Sequence, residues 1–170
     1  MISIYYICLI IIINCNNNII KNPSFEEFNS NNKLKYWTLN SKCDISHESF
    51  SGNNSLFWKE LNKKLFNIQT IELEKGFKYE ICVHFKLRNI IGKGFRFYIV
   101  NRNHTELYEN YYSSYYNGTY DWKKVCHQSE NIKKPTADLD RYIFGAYTLE
   151  QKDANEEAFI DDILIYRIND

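Results

Sequence analysis

The chain has 170 residues, of which 44% are hydrophobic, and its 21 basic and 21 acidic side chains give a formal net charge of zero. A neutral chain argues against nucleic acid and anionic membranes as partners, since both require a basic surface. The length suits one domain of about 150 residues after a leader, large enough to bury about 70% of its unfolded surface.

The first predicted element is a secretion leader. Residues 4–13 are almost entirely apolar, but this run is shorter than the about 20 residues that cross a bilayer. No Lys or Arg precedes it and residues 14–18 lack a small-residue cleavage pattern, so a retained anchor or an apolar core strand remains an alternative. We predict a signal peptide over residues 1–18 and a single domain over residues 19–170, with no membrane span in the mature chain.

Three glycosylation sequons agree with export. They lie at Asn53, Asn103 and Asn117, and Asn-x-Ser/Thr is the acceptor of N-linked glycans in secreted proteins. The last two fall in stretches that we predict to be loops. An Asn-rich chain also produces such matches by chance, so a bystander is the alternative for each. We predict a secreted or cell-surface glycoprotein.

Three cysteines remain once the leader is removed: Cys43, Cys82 and Cys126. An odd number in an exported chain allows at most one internal disulfide and a free thiol, and the sequence leaves the three pairings open. Three buried, reduced cysteines are the alternative. A zinc site is disfavoured because Cys82 and His84 would share a strand face while Cys126 and His127 would point oppositely.

The remaining pattern predicts strands and no sustained helix. Residues 79–88 and 95–100 alternate apolar and polar side chains, and the glycines at 92–94 predict a turn that makes the two runs neighbouring antiparallel strands. We predict a long loop over residues 105–121. Further strands are predicted at residues 55–58, 68–73, 122–127, 142–149 and 158–168. Short strands separated by polar clusters indicate an all-β sandwich.

Five short motifs occur in a fixed order along these strands. They are Asn-Pro-Ser-Phe-Glu at residues 22–26, Ser-Gly at 51–52, Gly-x-x-Tyr at 76–79, Asp-Trp at 121–122, and Phe-Ile-Asp-Asp-Ile at 159–163. Their order resembles that of the carbohydrate-binding modules of the family 4, 9 and 22 type over residues 22–168. The resemblance implies a galactose-binding-like β-jelly roll and a glycan or polysaccharide as ligand.

The resemblance also implies a structural calcium ion. Such modules commonly hold calcium with the Glu of the opening motif, here Glu26, the first Asp of the closing motif, here Asp161, and carbonyls of the Ser-Gly turn, all oxygen ligands that suit this cation. Asp162 would point the other way along the strand. A carboxylate pair without an ion is the alternative, and Pro23 and Ser24 stand where relatives often have glycines.

Sugar recognition requires flat aromatic faces and a few polar groups, and the chain has 14 Tyr, 11 Phe and 3 Trp. We expect the polar face of the two central strands and the adjoining Tyr-rich segment to bind sugar, although the tyrosines could instead pack on their own sheet. Trp37 and Trp122 are expected to fill the core. The predicted sugar-binding residues are His84, Arg96, Tyr98, Tyr112, Tyr115, Tyr116 and Trp58.

Catalysis has little support in the sequence. There is no Gly-x-Ser-x-Gly elbow, His-Glu-x-x-His helix or phosphate loop, and the four histidines are dispersed. We therefore predict a non-catalytic carbohydrate-binding module, for which an accessory role in a glycoside hydrolase system is one option. The alternatives are a cell-surface or extracellular adhesion protein that binds a protein partner through the same sandwich and, less favoured, a small hydrolase or lyase.

Overall fold

The computed structural model describes residues 18–39, 43–59, 66–74, 76–101, 111–129, 140–149 and 155–168. Within these ranges the chain forms β-strands and no helix, and so it offers no helix that could span a membrane. The strands are β1 (Cys43–Ser46), β2 (Ser55–Lys59), β3 (Phe66–Leu73), β4 (Lys78–Asn101), β5 (Tyr111–Tyr112), β6 (Tyr116–Gln128), β7 (Asp140–Leu149) and β8 (Glu157–Ile168). The all-β prediction is confirmed.

All the strand pairs are antiparallel, and β4 is the centre of the sheet. The strand order is β1-β2-β8-β4-β7-β3, with β5 and β6 also paired to β4. The first half of β4 pairs with β8 and the second half pairs with β7, while β6 follows β4 on its other side. Strand β4 therefore belongs to both halves of the sheet. The sheet curls and encloses one core.

The predicted hairpin between residues 79–88 and 95–100 is wrong, because both runs belong to the continuous strand β4. Asn89, Gly92 and Gly94 have φ angles of 54°, 72° and 98°, and the register against β6 shifts three times between Phe85 and Phe95. Gly94 is required there, since an added Cβ would lie 2.3 Å from the Tyr116 carbonyl oxygen. The glycines bend the strand instead of reversing it.

The predicted loop over residues 105–121 is also wrong in its described part. Tyr111 and Tyr112 form β5, and residues 116–121 begin β6. Strand β1 was not predicted, while the other five predicted strands are present with longer bounds.

The signal peptide prediction lies outside the described residues except for Asn18, which already exchanges hydrogen bonds with the backbone of Ile163 and Ile165 in β8.

The core forms where the alternation of β4 predicts it. Ile81, Val83, Phe85, Phe97 and Ile99 are each at most 3% exposed, and they join side chains of β2, β3, β7 and β8 in one cluster. Burying each such side chain stabilises the fold by about 1.5 to 3 kcal/mol. Most even-numbered side chains of β4 lie outside this core, although Ile90 joins it between two register shifts, and Cys82, His84 and Tyr98 are buried elsewhere. The functional surface has to be sought among the remaining ones and their neighbours.

A disulfide joins the two longest strands. Cys82 of β4 and Cys126 of β6 lie directly opposite each other and are bonded, whereas Cys43 is a free thiol. The structure thus selects one of the three pairings that the sequence leaves open. Glu80 lies near both sulfur atoms, but a disulfide has no thiolate with which to bind a metal.

Removing this disulfide should lower stability strongly. The bond closes a loop with a sequence separation of 44 residues, which corresponds to about 4 kcal/mol of chain entropy in the unfolded state. We expect the Cys82→Ala/Cys126→Ala double variant to lose about that much unfolding free energy in urea denaturation. The Cys43→Ala variant is the control, and an equal loss in both variants would contradict the expectation.

Candidate functional site

Glu26 holds one end of the turn at residues 50–54, which connects β1 to β2. Its Oε1 accepts hydrogen bonds from the backbone N–H groups of Asn53 (2.7 Å) and Asn54 (2.9 Å), and its Oε2 accepts one from Asn54 Nδ2 (2.8 Å). Oε1 also lies 2.4 Å from the position that a Cβ on Gly52 would occupy. The carboxylate can therefore approach this closely only because residue 52 is glycine.

Asp161 of β8 holds the other end of the turn. Its Oδ2 accepts from the N–H groups of Phe50 (2.9 Å) and Ser51 (3.0 Å), and Ser51 Oγ donates to Asp162 Oδ1 (2.9 Å). Adjacent strand residues normally face opposite ways, but the β8 register shifts here and Asp162 has a φ of 44°. The bulge turns both acids towards Ser51, so the prediction that Asp162 points away is wrong. We call the bonds of Glu26 and Asp161 to residues 50–54 the turn clasp.

The groups that form the turn clasp do not fit a calcium site. Calcium takes six to eight oxygen ligands, whereas the turn presents N–H groups to both carboxylates. Two carbonyl oxygens of the turn already have other partners, since that of Gly52 accepts from Ser49 Oγ (3.1 Å) and that of Asn53 lies 3.3 Å from His47 Nδ1. Hydrogen bonds thus satisfy the carboxylates that the resemblance assigns to the cation.

The two acids of the clasp have pKa values shifted in opposite directions. Burial raises the pKa of Asp161 from its usual 3.8 to about 6, and the N–H groups that bond the carboxylate only partly oppose this. For Glu26, desolvation would raise the pKa, but the hydrogen bonds from Asn53 and Asn54 outweigh it and the pKa is lowered. Asp161 is the one whose charge is poorly solvated.

An aromatic cluster lies directly on the clasped turn. The Phe50 ring stacks on the His84 ring with centroids 3.9 Å apart and planes within 12°, and it lies 6.1 Å from the Trp122 ring. Trp122 contacts Phe159, which stacks on Phe57. Phe50 is 48% exposed and His84 is buried beneath it. We call Phe50, His84, Trp122, Phe159 and Phe57 the aromatic patch.

Charged side chains border the aromatic patch. Lys86 Nζ lies 2.6 Å from Asp121 and 3.0 Å from Glu48, and Arg88 lies 2.6 Å from Glu48 and 3.0 Å from Glu157. The Asp121 side chain is 84% exposed. The Lys86–Asp121 pair is exposed, and such pairs contribute little to stability. Their effect is to fix hydrogen-bonding groups beside the rings.

The structure separates the residues predicted to bind sugar. His84 pairs with Asp161 of β8, whereas Arg96 pairs with Tyr147 of β7 on the other side of the bend in β4. The Arg96 guanidinium lies 4.5 Å from the centre of the Tyr115 ring, which is 36% exposed. The predicted single cluster is therefore wrong, because it assumed a hairpin where the chain forms one strand.

Burial removes two further candidates. Trp58 and Tyr98 are both 0% exposed, so neither ring can stack on a ligand and both expectations are wrong. Tyr116 is half-buried and its hydroxyl bonds His127 Nε2. Tyr112 pairs with Tyr98 in the short β5 ladder.

The described sequons are accessible. Asn53 is an exposed residue of the clasped turn, and Asn117 is exposed on β6 instead of in the predicted loop. Asn103 lies outside the described residues. Glycosylation of all three stays a prediction.

Sequence reasoning missed Phe50 and assigned Trp122 to the core, where Trp37 does lie. One signal could have found Phe50, namely an aromatic residue inside the polar turn Glu-Ser-Phe-Ser-Gly, where a large side chain has no strand to bury it. Trp122 lies on β6, which pairs with β4 alone among the described strands and has no fully buried side chain.

Comparisons with solved structures show the same architecture. A family 61 carbohydrate-binding module in complex with β-1,4-galactotriose matches 89% of this chain and 99% of its own at 18% identity, with a TM-score of 0.51. The CBM22-1 xylan-binding domain of Xyn10C from Paenibacillus barcinonensis matches 86% of this chain and 92% of its own at 17% identity, with a TM-score of 0.50. The chain has the jelly-roll fold of carbohydrate-binding modules.

The jelly-roll fold also serves catalysis. A cyclase from Fischerella sp. TAU matches 89% of this chain and 96% of its own at 15% identity, with a TM-score of 0.61. No protein-family model matches the chain, and a search of curated proteins found no relative. At these identities the similarity establishes the fold, and function has to be argued from the site.

The raised pKa of Asp161 predicts a pH-dependent stability difference. A carboxyl whose pKa is about 6 when folded and about 3.8 when unfolded favours the folded state at low pH, and this contribution is lost as pH rises through 6. We expect wild type to lose about 2 kcal/mol of unfolding free energy between pH 4 and pH 7 relative to Asp161→Asn, measured by urea denaturation. A difference that stays constant across this range would refute the assignment.

Proposed function

We propose that the protein is a secreted, non-catalytic module that binds a glycan through the aromatic patch. The observation that carries the proposal is the Phe50 ring, which is half exposed while one face is supported by His84. An aromatic face presents an apolar plane on which the C–H face of a sugar ring can pack. A rigid ring loses little conformational entropy when it makes such a contact.

The polar groups at the border of the patch supply the second requirement of a sugar site. Lys86 can donate to sugar hydroxyls and the exposed Asp121 carboxylate can accept from them, and both lie on the strands that carry His84 and Trp122. Because Lys86 and Arg88 already have carboxylate partners, the patch suits a neutral sugar better than an acidic one.

The same charged groups support binding without catalysis. The hydrogen bond with Asp121 raises the pKa of Lys86, and the hydrogen bond with Lys86 lowers the pKa of Asp121. The hydrogen bond with Glu157 raises the pKa of Arg88. General acid–base catalysis works best with pKa values near the operating pH, and these three shifts all move away from neutrality.

Two observations support export to a secreted or cell-surface location. Disulfides such as Cys82–Cys126 persist in oxidising compartments, and the sequons at Asn53 and Asn117 are exposed. The fold is shared with modules whose structures were solved as a galactotriose complex and as a xylan-binding domain, which supports a polysaccharide ligand.

A second candidate function is binding of a cell-surface protein. It is favoured by the arrangement of the patch, since an aromatic centre with a charged rim is also the anatomy of protein interfaces. Glycan binding ranks first because a single exposed ring flanked by polar groups offers a small contact area, which suits a sugar unit.

Truncation of the central ring tests the proposal. We expect Phe50→Ala to weaken glycan binding by about 2 kcal/mol, the scale of a lost aromatic anchor, and Trp122→Ala to weaken it in the same direction. Ligands are found on a glycan array and affinities are measured by titration calorimetry. Tyr36→Ala is the matched control. Tyr36 is 54% exposed, its ring lies 5.5 Å from Lys21 Nζ, and it is outside the patch.

Three outcomes would count against this assignment. Wild-type affinity in Phe50→Ala would exclude the aromatic patch, and loss of binding in Tyr115→Ala alone would move the site to the predicted surface around Arg96. If wild type binds no glycan on the array, the glycan proposal is wrong and the protein-binding candidate takes its place.

A further inference from the structure

The turn clasp and the aromatic patch share one residue. The backbone N–H of Phe50 donates to Asp161, and the ring of Phe50 stacks on His84. His84 and Asp161 are themselves opposite each other in the β4–β8 register. The acid that fixes the Phe50 backbone and the ring that supports its side chain are therefore carried by the same pair of strands.

We propose that Glu26 and Asp161 are positioning residues that hold the Phe50 ring in its binding orientation directly by hydrogen bonds, without a calcium ion. The inference rests on the proposed function for its effect on binding, but its structural part stands on the geometry alone. It predicts that ligand affinity depends on two acids that lie beside the turn and on no divalent cation.

Hydrogen bonding of both carboxylates is the first argument. Glu26 accepts three hydrogen bonds, and Asp161 accepts two from the turn at Oδ2 and one from the Asp162 N–H at Oδ1 (2.8 Å). N–H donors stabilise a carboxylate charge directly, and here they outweigh desolvation at Glu26 and offset part of it at Asp161. The turn therefore directs N–H groups at the two carboxylates, where a calcium site would require further oxygen ligands.

The shape of the turn is the second argument. Gly52 has a φ of 63°, and its missing side chain admits the Glu26 carboxylate against the backbone. Asp162 adds a further bond to Ser51 Oγ. The sequence at 51–52 and the bulge at Asp162 thus serve the direct contact between acids and amides, which a cation site formed from carbonyl oxygens would not require.

Amide hydrogen exchange of the full chain tests the structural part without any ligand. We expect the Phe50, Ser51, Asn53 and Asn54 amides to be protected equally in excess calcium and in chelator, with equal melting temperatures. In Glu26→Ala the amides of Asn53 and Asn54 should exchange at least about tenfold faster, the scale of a lost hydrogen bond to a charged acceptor.

Binding affinity tests the functional part. With β-1,4-galactotriose or a xylan oligosaccharide, whichever the wild type binds, Glu26→Ala should weaken binding about threefold to tenfold, the effect of leaving one anchor side chain to be ordered on binding. Glu27→Ala is the matched control, because Glu27 is the adjacent exposed acid and its carboxylate forms an ion pair with Lys35 (3.5 Å). It should bind and exchange as wild type does.

The outcomes separate the two proposals. A melting temperature that rises with calcium, or amides protected only when calcium is present, overturns the clasp whatever the ligand is. Wild-type exchange and wild-type affinity in Glu26→Ala also overturn it. If wild type binds no sugar while the exchange results hold, the clasp stands and the proposed function fails.

Discussion

The bend in β4 is the constraint on which the rest of the structure depends. Because this strand continues through Gly92 and Gly94, its first half can pair with β8 and its second half with β7. The inward side chains of both halves then reach one core. The same continuity sends outward side chains to different surfaces, which leaves His84 with Phe50 and Arg96 with Tyr115.

Charge and burial are balanced differently at the two ends of the clasp. Asp161 is 0% exposed, and its raised pKa shows that amide donors do not fully replace water. Glu26 is exposed, and the same kind of hydrogen bond lowers its pKa and stabilises its charge. A buried carboxylate that lowers the stability of the folded state at neutral pH is expected where a functional geometry matters more than stability. Here the geometry concerned is that of the turn that carries Phe50.

Alternation along the sequence was sufficient to predict most of the strands and the core, because Tyr79 to Leu87 obeys the period of two that a half-buried strand imposes, but it did not indicate β1 or β5. Trp58 follows the same rule, since it shares a strand face with Leu56, and its burial could have been predicted from that pairing. The bend at residues 92–94 could not be predicted from the sequence, because two nearby glycines suit a tight turn and a bulge equally well. The bulge at Asp162 and the contact of Glu26 with the turn depend on residues that are distant in sequence.

The position of the disulfide has a mechanical consequence. Among the described strands β6 pairs with β4 alone, and an edge strand held on one side separates one hydrogen bond at a time when it is pulled from its end. The Cys82–Cys126 bond lies within this ladder, so a tear that starts at either end of β6 stops there. A tear from the Gln128 end therefore leaves Trp122, four residues before the covalent bond, attached to the sheet, whereas a tear from the Tyr116 end would release Trp122 before it reached the disulfide.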